Sequence, residues 1–319
     1  MKQFLSVFFL ICIQNLLAQV GGESVYQFLN LSSSARQTAL GGETLNIMDD
    51  VNQPIWNPSV INTAMDNKVS VNYSSYLAGI NIGSISYAKT FSRRFGTFHG
   101  SIKYLDYGAI IGADEFGVET GKFSANDIAI SLGYAYNIPR SNIFIGANLK
   151  FINATISNYT SFGTAFDFAI LYFSGFKPLS MTLVVRNIGT QLTSYNGVQE
   201  KLPLKIALGV SYRLKYVPLK WYGTLDNLQQ WDISVSNPSR QTSDLEGNVT
   251  KEDISFLSNM FRHIVIGAEL FPDSLINIRA GYNFKRAREL ALQNARTFSG
   301  VSLGFGIKMN KFIFNYAYS

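Results

Sequence analysis

Two histidines, His99 and His263, and a single cysteine, Cys12, are all that this chain offers for imidazole or thiol chemistry. Nucleophilic catalysis needs a base beside the nucleophile and a third group to orient that base. The two histidines are far apart in sequence, and neither has a cysteine nearby. Ser32-Ser33-Ser34 lacks the Gly-x-Ser-x-Gly frame of a nucleophile elbow. Gly304-Phe305-Gly306 lies inside an alternating stretch, so it is no phosphate loop. Asp244, Glu246, Lys251, Glu252 and Asp253 gather in the polar stretch 229–261, without a histidine or the fixed spacing of a calcium loop. They read as a solvated loop. The expectation is a protein with no enzymatic activity, no cofactor and no metal.

The remaining charged residues follow a different logic. Only 15% of the chain is charged, against roughly a quarter in ordinary soluble domains. Aromatic residues make up 14%. From about Lys68 onward the hydrophobicity alternates with period two, the strand period. Leu204, Ile206, Leu208, Val210 and Tyr212 alternate with Lys205, Ala207, Gly209, Ser211 and Arg213. Ile276, Ile278, Ala280, Tyr282 and Phe284 do the same against Asn277, Arg279, Gly281, Asn283 and Lys285. One face is large and apolar. The other carries glycine, serine and the charges Lys103, Lys150, Asp167, Arg186, Lys205, Glu269, Arg279 and Lys308.

That second face is too poor in charge for the solvated outside of a β-sandwich. It reads as the lining of a lumen, with the apolar face meeting lipid. Backbone groups cannot stay unpaired in hydrocarbon, so such strands belong in a transmembrane antiparallel β-barrel of all-β class. Tyr134, Tyr136, Tyr172, Tyr212 and Tyr282 are placed for interfacial girdles. The net charge of +6 comes without a basic run, which argues against nucleic acid as a partner. No stretch in the mature chain reaches about 18 consecutive apolar residues, which excludes a helical membrane protein.

Three segments emerge. Residues 1–18 have the positive start, apolar middle and small closing residue of a signal peptide cleaved after Ala18, which also removes Cys12. That leader, with the barrel pattern after it, places the protein in the outer membrane of a Gram-negative bacterium. Residues 19–67 do not alternate and read as a periplasmic extension or a plug folded into the lumen, with a short helix after Ser33-Ser34. Residues 68–319 form the barrel. Thirteen strands are expected near 68–76, 82–91, 96–106, 124–137, 142–153, 162–173, 179–188, 203–213, 218–227, 262–271, 275–284, 298–308 and 312–318. The short connections, such as Ile138-Pro139-Arg140-Ser141, suit the periplasm. Longer ones near 107–123, 189–203, 229–261 and 285–297 suit the cell surface. Barrels of this type normally have an even strand number. Either a closing strand lies outside this sequence, or one hides in 229–261, where Trp231, Ile233 and Val235 alternate.

Asp49-Asp50-Val51-Asn52-Gln53-Pro54-Ile55-Trp56-Asn57-Pro58-Ser59 resembles the hatch segment of FadL-like barrels, where an acidic pair precedes an Asn-Pro-Ala turn. Ser59 replaces that alanine here. A narrower resemblance is to the PorQ family. It rests on Gly21-Gly22-Glu23-Ser24-Val25-Tyr26-Gln27-Phe28-Leu29-Asn30-Leu31, Ser34-Ala35-Arg36 and Ala39-Leu40-Gly41-Gly42. Asp114-Glu115-Phe116-Gly117, Gly121-Lys122-Phe123, Ala280-Gly281-Tyr282-Asn283 and Arg288-Glu289-Leu290 come after them in the same order. The resemblance implies a fourteen-stranded barrel with Asp49, Asp50, Asn57 and Pro58 in the plug turn. It also implies a non-enzymatic anchor in the attachment complex of the type IX secretion system. Its partners there would be a PorV-like barrel, a PorU-like sortase and a PorZ-like protein. The FadL-like resemblance offers the alternative of transporting a hydrophobic small molecule. A lumen lined by glycine and charge speaks against that alternative, because such a transporter should present an apolar pocket.

Overall fold

A computed structural model describes residues 24–92, 95–174, 178–233, 242–243, 249–250, 255–290 and 298–319. The leader 1–18, Gly21 to Glu23 and the acidic cluster of 229–261 lie outside them. One antiparallel sheet of 13 strands forms the wall. Its strands are β1 (Lys68–Ser75), β2 (Asn81–Ser92), β3 (Gly96–Ala113), β4 (Glu119–Asn137), β5 (Ile143–Ile156), β6 (Tyr159–Phe173), β7 (Leu179–Thr193), β8 (Lys205–Arg213) and β9 (Leu219–Leu225). After a two-residue ladder, β10 (Thr242–Ser243) with β11 (Val249–Thr250), the wall resumes with β12 (Ile264–Leu270), β13 (Ile276–Asn283), β14 (Val301–Met309) and β15 (Phe312–Tyr318). Each wall strand pairs with its neighbour in sequence, and β9 pairs directly with β12 across the long connection.

The alternation resolves as a lipid-type exterior and a packed interior. Leu208 and Ile278 face outward at 43% and 53% exposure, whereas Ala207 and Arg279 face inward at 1% each. In a soluble sheet this distribution would be reversed. Tyr136, Tyr172, Tyr212 and Trp221 stand outward together near one end of the wall. That is where an aromatic girdle meets the lipid headgroups.

The wall has two dissimilar ends. Connections 138–142, 214–218, 271–275 and 310–311 are short and define a turn end. The opposite, loop end holds 194–204, 226–263 and 284–300, but also two short turns, 76–80 and 157–158. Loop lengths therefore do not alternate as uniformly as the sequence suggests. The expected loop 107–123 is mostly strand as well. Ile110 pairs with Phe123 and Ile111 with Lys122, so β3 and β4 continue past their neighbours as a two-stranded ribbon. A bulge at Asp106/Ala109 interrupts the alternation there, which is why the pattern looks broken in sequence. Trp231 and Ile233 belong to no strand, and Val235 lies outside the described residues.

Among the described residues, no ladder joins β1 to β15. With 13 strands in strict up-and-down order, these two edges run in the same direction. One strand antiparallel to both would complete the circle of backbone hydrogen bonds.

Candidate functional site

Residues 24–67 fill the lumen as a hatch. Three physical devices hold it there. The first is close approach. Leu40 and Gly41 lie so near Gly281 and Gly267 on the inner wall that a Cβ on Gly281 would overlap the Leu40–Gly41 peptide. Pro58 and Ser59 press on Gly146 in the same way. The glycines of the inner face are thus seats for hatch backbone.

The second device is the turn at Asn57-Pro58-Ser59. Proline starts the short 3-10 turn Pro58–Val60, and Asn57 caps it by accepting a hydrogen bond from Ser59 N at 3.0 Å. The Ser59 hydroxyl also donates to Asn57 Oδ1 at 2.5 Å, a bond alanine could not make. Asn57 Nδ2 donates to Leu45 O at 2.8 Å, and Asn148 on β5 donates to Pro54 O at 2.7 Å. Asp50 accepts from Asn52 N at 2.9 Å, so it shapes the turn, while its neighbour Asp49 forms an ion pair.

The third device is charge. At the turn end, Arg36 lies in the short helix α1 (Ala35–Ala39), started by Ser34 without a side-chain cap bond. Arg36 bridges Asp49 and Glu269, each at 2.9 Å. Glu269 also receives Arg279 Nε at 2.8 Å and the Tyr222 hydroxyl at 3.0 Å. Burial works against the Arg36 charge, yet Asp49 and Glu269 together hold its pKa well above the usual value. The protein packed around Asp49 opposes its ionisation even though its side chain is half exposed, but Arg36, with help from Lys220 and Lys308, holds its carboxyl well below the ordinary range. Lys308 itself is only partly buried and donates to Pro272 O at 2.6 Å, at the lumen's rim.

Midway, Glu43 of the hatch meets Lys205 at 2.7 Å and Arg186 at 3.3 Å, and Lys205 also pairs with Asp226 at 2.8 Å. Burial, with Asp226 close by, pushes the Glu43 carboxyl above its ordinary value, and the two cations pull it back only in part. Lys150 pairs with Asp167 at 2.7 Å. Lys103 donates to the carbonyls of Leu29 and Leu31 and lies between the rings of Phe28 and Trp56. Lys103, Lys150, Asp167, Arg186, Lys205, Glu269 and Arg279 lie buried inside the wall and Lys308 at its rim, but the hatch partners Arg36, Glu43 and Trp56 carry no sequence signal of that role.

The chemistry of the histidines is spent on carbonyls. His99 Nε2 bonds Val51 O at 2.9 Å, and His263 bonds the carbonyls of Asp226 and Trp231. Both are buried braces.

Nearer the loop end the inner face changes character. Ile82, Leu105, Ile152, Ala154, Ala129 and Ala165 form an apolar niche inside the wall. Val25, Phe28 and Leu29 of the hatch fill it, and Leu202 of the 194–204 loop closes it from above. The inner face is therefore not glycine and charge throughout, which corrects the sequence reading. Leu105 comes two residues after Lys103 and Ile152 two after Lys150, so strand parity could have revealed the niche.

A continuous antiparallel wall with an apolar outside and an N-terminal hatch in its lumen defines a membrane-spanning, hatch-plugged β-barrel. Solved structures of similar fold are channels and transporters by their descriptions. One is described as the TodX monoaromatic hydrocarbon channel, a deltaS2 mutant, at 12% identity, covering 92% of each chain with a TM-score of 0.54. Another is the Ralstonia pickettii toluene transporter TbuX, at 11% identity, covering 92% of this chain and 93% of that one, with a TM-score of 0.53. At such identity the likeness establishes the fold alone. No protein-family model and no curated protein matches the chain.

Proposed function

We propose that this chain is an outer-membrane channel for a small hydrophobic molecule, with the loop end at the cell surface. The observation that carries the proposal is the apolar niche of Ile82, Leu105 and Ile152, filled by Phe28 and Leu29. Concave apolar sites inside a barrel are where such ligands bind. The hatch residues there are hydrophobic stand-ins that a ligand can replace. The segment Ser24–Leu31 is also the less firmly tied part of the hatch. Hydrogen bonds such as Tyr26 to Ser161 and Lys103 to the Leu31 carbonyl hold it, whereas Arg36 and Glu43 anchor the later hatch residues through ion pairs. The likeness of fold to a hydrocarbon channel and a toluene transporter supports the same reading. Uptake of labelled toluene by cells expressing the parent chain should exceed that of cells without it. Ile152→Asp, which puts a charge into the niche, should abolish the excess. Uptake equal in all three would sink the proposal.

A second reading has its own support. The string Asp114-Glu115-Phe116-Gly117 lies at the tip of the β3–β4 ribbon, where Phe116 is 83% exposed and serves no packing role. An exposed aromatic on a ribbon above the membrane suits contact with another protein. In this reading the chain anchors a type IX attachment complex, with PorV-, PorU- and PorZ-like partners. Affinity purification in mild detergent separates the two. Recovery of a protease and a second barrel in fixed ratio favours the anchor, and recovery of the chain alone favours the channel.

A further inference from the structure

The wall is much taller on one side than on the other. Strands β3 to β7 have 14 to 19 residues, whereas β9 and β12 have 7 each. A strand of that shorter length is about 23 Å long at ~3.3 Å per residue. Tilted by about 40°, it rises only ~18 Å, short of the ~25 Å apolar band of such barrels. Something else must meet the hydrocarbon above β9 and β12.

Two short helices stand there. Helix α2 (Phe256–Arg262) runs directly into β12, and α3 (Phe284–Glu289) comes straight after β13. In water a helix turns its apolar stripe inward. Helix α2 does the reverse. Phe256, Leu257 and Phe261 are 66%, 60% and 45% exposed, while Asn259 and Arg262 are buried at 5% and 4%. Asn259 donates inward to Trp231 O at 2.5 Å. The apolar surface is also continuous with the wall. Tyr282 of the outer face meets Phe284 edge-on at 4.7 Å, and Phe284 stacks on Phe261 at 5.6 Å. Exposed Leu290 and the cation Arg288 lie on and just past α3, the combination of apolar and basic groups found where acyl chains give way to phosphates.

We infer that α2 and α3 lie in the outer leaflet of the membrane, where Phe256, Leu257 and Phe261 contact lipid acyl chains and complete the apolar belt over the short strands. Spin labels test this in liposomes of the reconstituted full chain, in a Cys12→Ser background. Labels at Leu257→Cys and Phe261→Cys should collide with oxygen several-fold more than with a water-soluble nickel chelate, as a label at Ile266→Cys on the lipid-facing wall does. A label at Val118→Cys on the ribbon supplies the aqueous reference. Nickel access at Leu257 and Phe261 equal to that at Val118 would overturn the inference. So would nickel access in liposomes that disappears in native membranes, because a protein would then be the cover. If Phe261→Cys fails to assemble, Leu257→Cys decides alone, since Leu257 takes part in none of the ring contacts.

Discussion

The guanidinium of Arg186, on wall strand β7, lies 3.9 Å from the ring centre of Trp56 in the hatch, and the same guanidinium reaches Glu43. One wall side chain thus holds two turns of the hatch, through a desolvated cation–π contact and an ion pair. Truncating Trp56→Ala removes both the contact, worth about 2 kcal/mol when buried, and a large packed side chain, worth about 3–5 kcal/mol. The wall should still assemble, because Trp56 contributes nothing to its ladders. The expected result is a normal heat-modified gel shift together with raised conductance in planar bilayers. Trp56→Phe should lie between the parent and Trp56→Ala.

Breaking the turn-end latch should cost more than any exposed ion pair. Glu269 accepts from Arg36, Arg279 and Tyr222 with its carboxylate fully buried. Glu269→Gln leaves two buried cations short of a counter-charge, a loss of about 3–5 kcal/mol. Hydrogen exchange in Ala35–Ala39 should accelerate in the variant, while exchange in β3 to β6 stays as in the parent. Unchanged exchange in α1 would show that the latch does not restrain the hatch.

Acid should loosen the same latch. The Asp49 pKa is lowered by Arg36, so its contribution to hatch docking is complete above the ordinary carboxylate range of about 4. It is lost as the pH falls below that range, through the lowered value in the folded protein. Bilayer conductance of the parent should stay low from neutral pH to about 4 and rise only in stronger acid. Asp49→Asn should conduct more at neutral pH and lose the part of the acid response that Asp49 supplies. A parent response centred at neutral pH would point to a different group.

The two faces of β8 should respond oppositely to one substitution. Leu208→Arg places a charge in lipid and should block assembly, at a cost of about 2–4 kcal/mol near the bilayer midplane. Ala207 faces the hatch beside Leu45, Ala169 and Val184. Ala207→Arg should therefore assemble but displace the hatch and leak. Gel mobility reads the first effect and conductance the second, and equal yields of folded protein from both variants would refute the assignment of faces.

A single methyl group at a hatch seat should act like a wedge. The Cβ of Gly281→Ala would overlap the Leu40–Gly41 peptide, whereas Gly100→Ala, with open space around its Cβ, should be silent. Conductance and exchange at Ala39 to Gly42 should change in the first variant only.

Whatever repeats along the chain is legible from its residues alone. Period-two alternation needs only local backbone geometry, so it marked the wall strands, their lipid and lumen faces, and the inward direction of Lys103, Lys150, Asp167, Arg186, Lys205, Glu269 and Arg279. The non-alternating stretch before Lys68 marked a segment outside the wall, and Asn57-Pro58 marked a turn within it. What those inward residues meet depends on the folded hatch. Arg36 finds Glu269 across 233 positions and Tyr26 finds Ser161 across 135, and no local pattern encodes such partners. The glycines of the inner face carry no local mark of the hatch backbone that rests on Gly146, Gly267 and Gly281. The apolar niche is legible only in part. Ile82, Leu105 and Ile152 share the parity of the lumen charges, which marks them as inward, but nothing local names Phe28 as the residue they meet. Phe256, Leu257 and Phe261 fall in the stretch 229–261, which reads in sequence as a solvated loop. Which side of it faces outward depends on the short strands beneath, and strand height relative to the membrane is a property of the assembled wall.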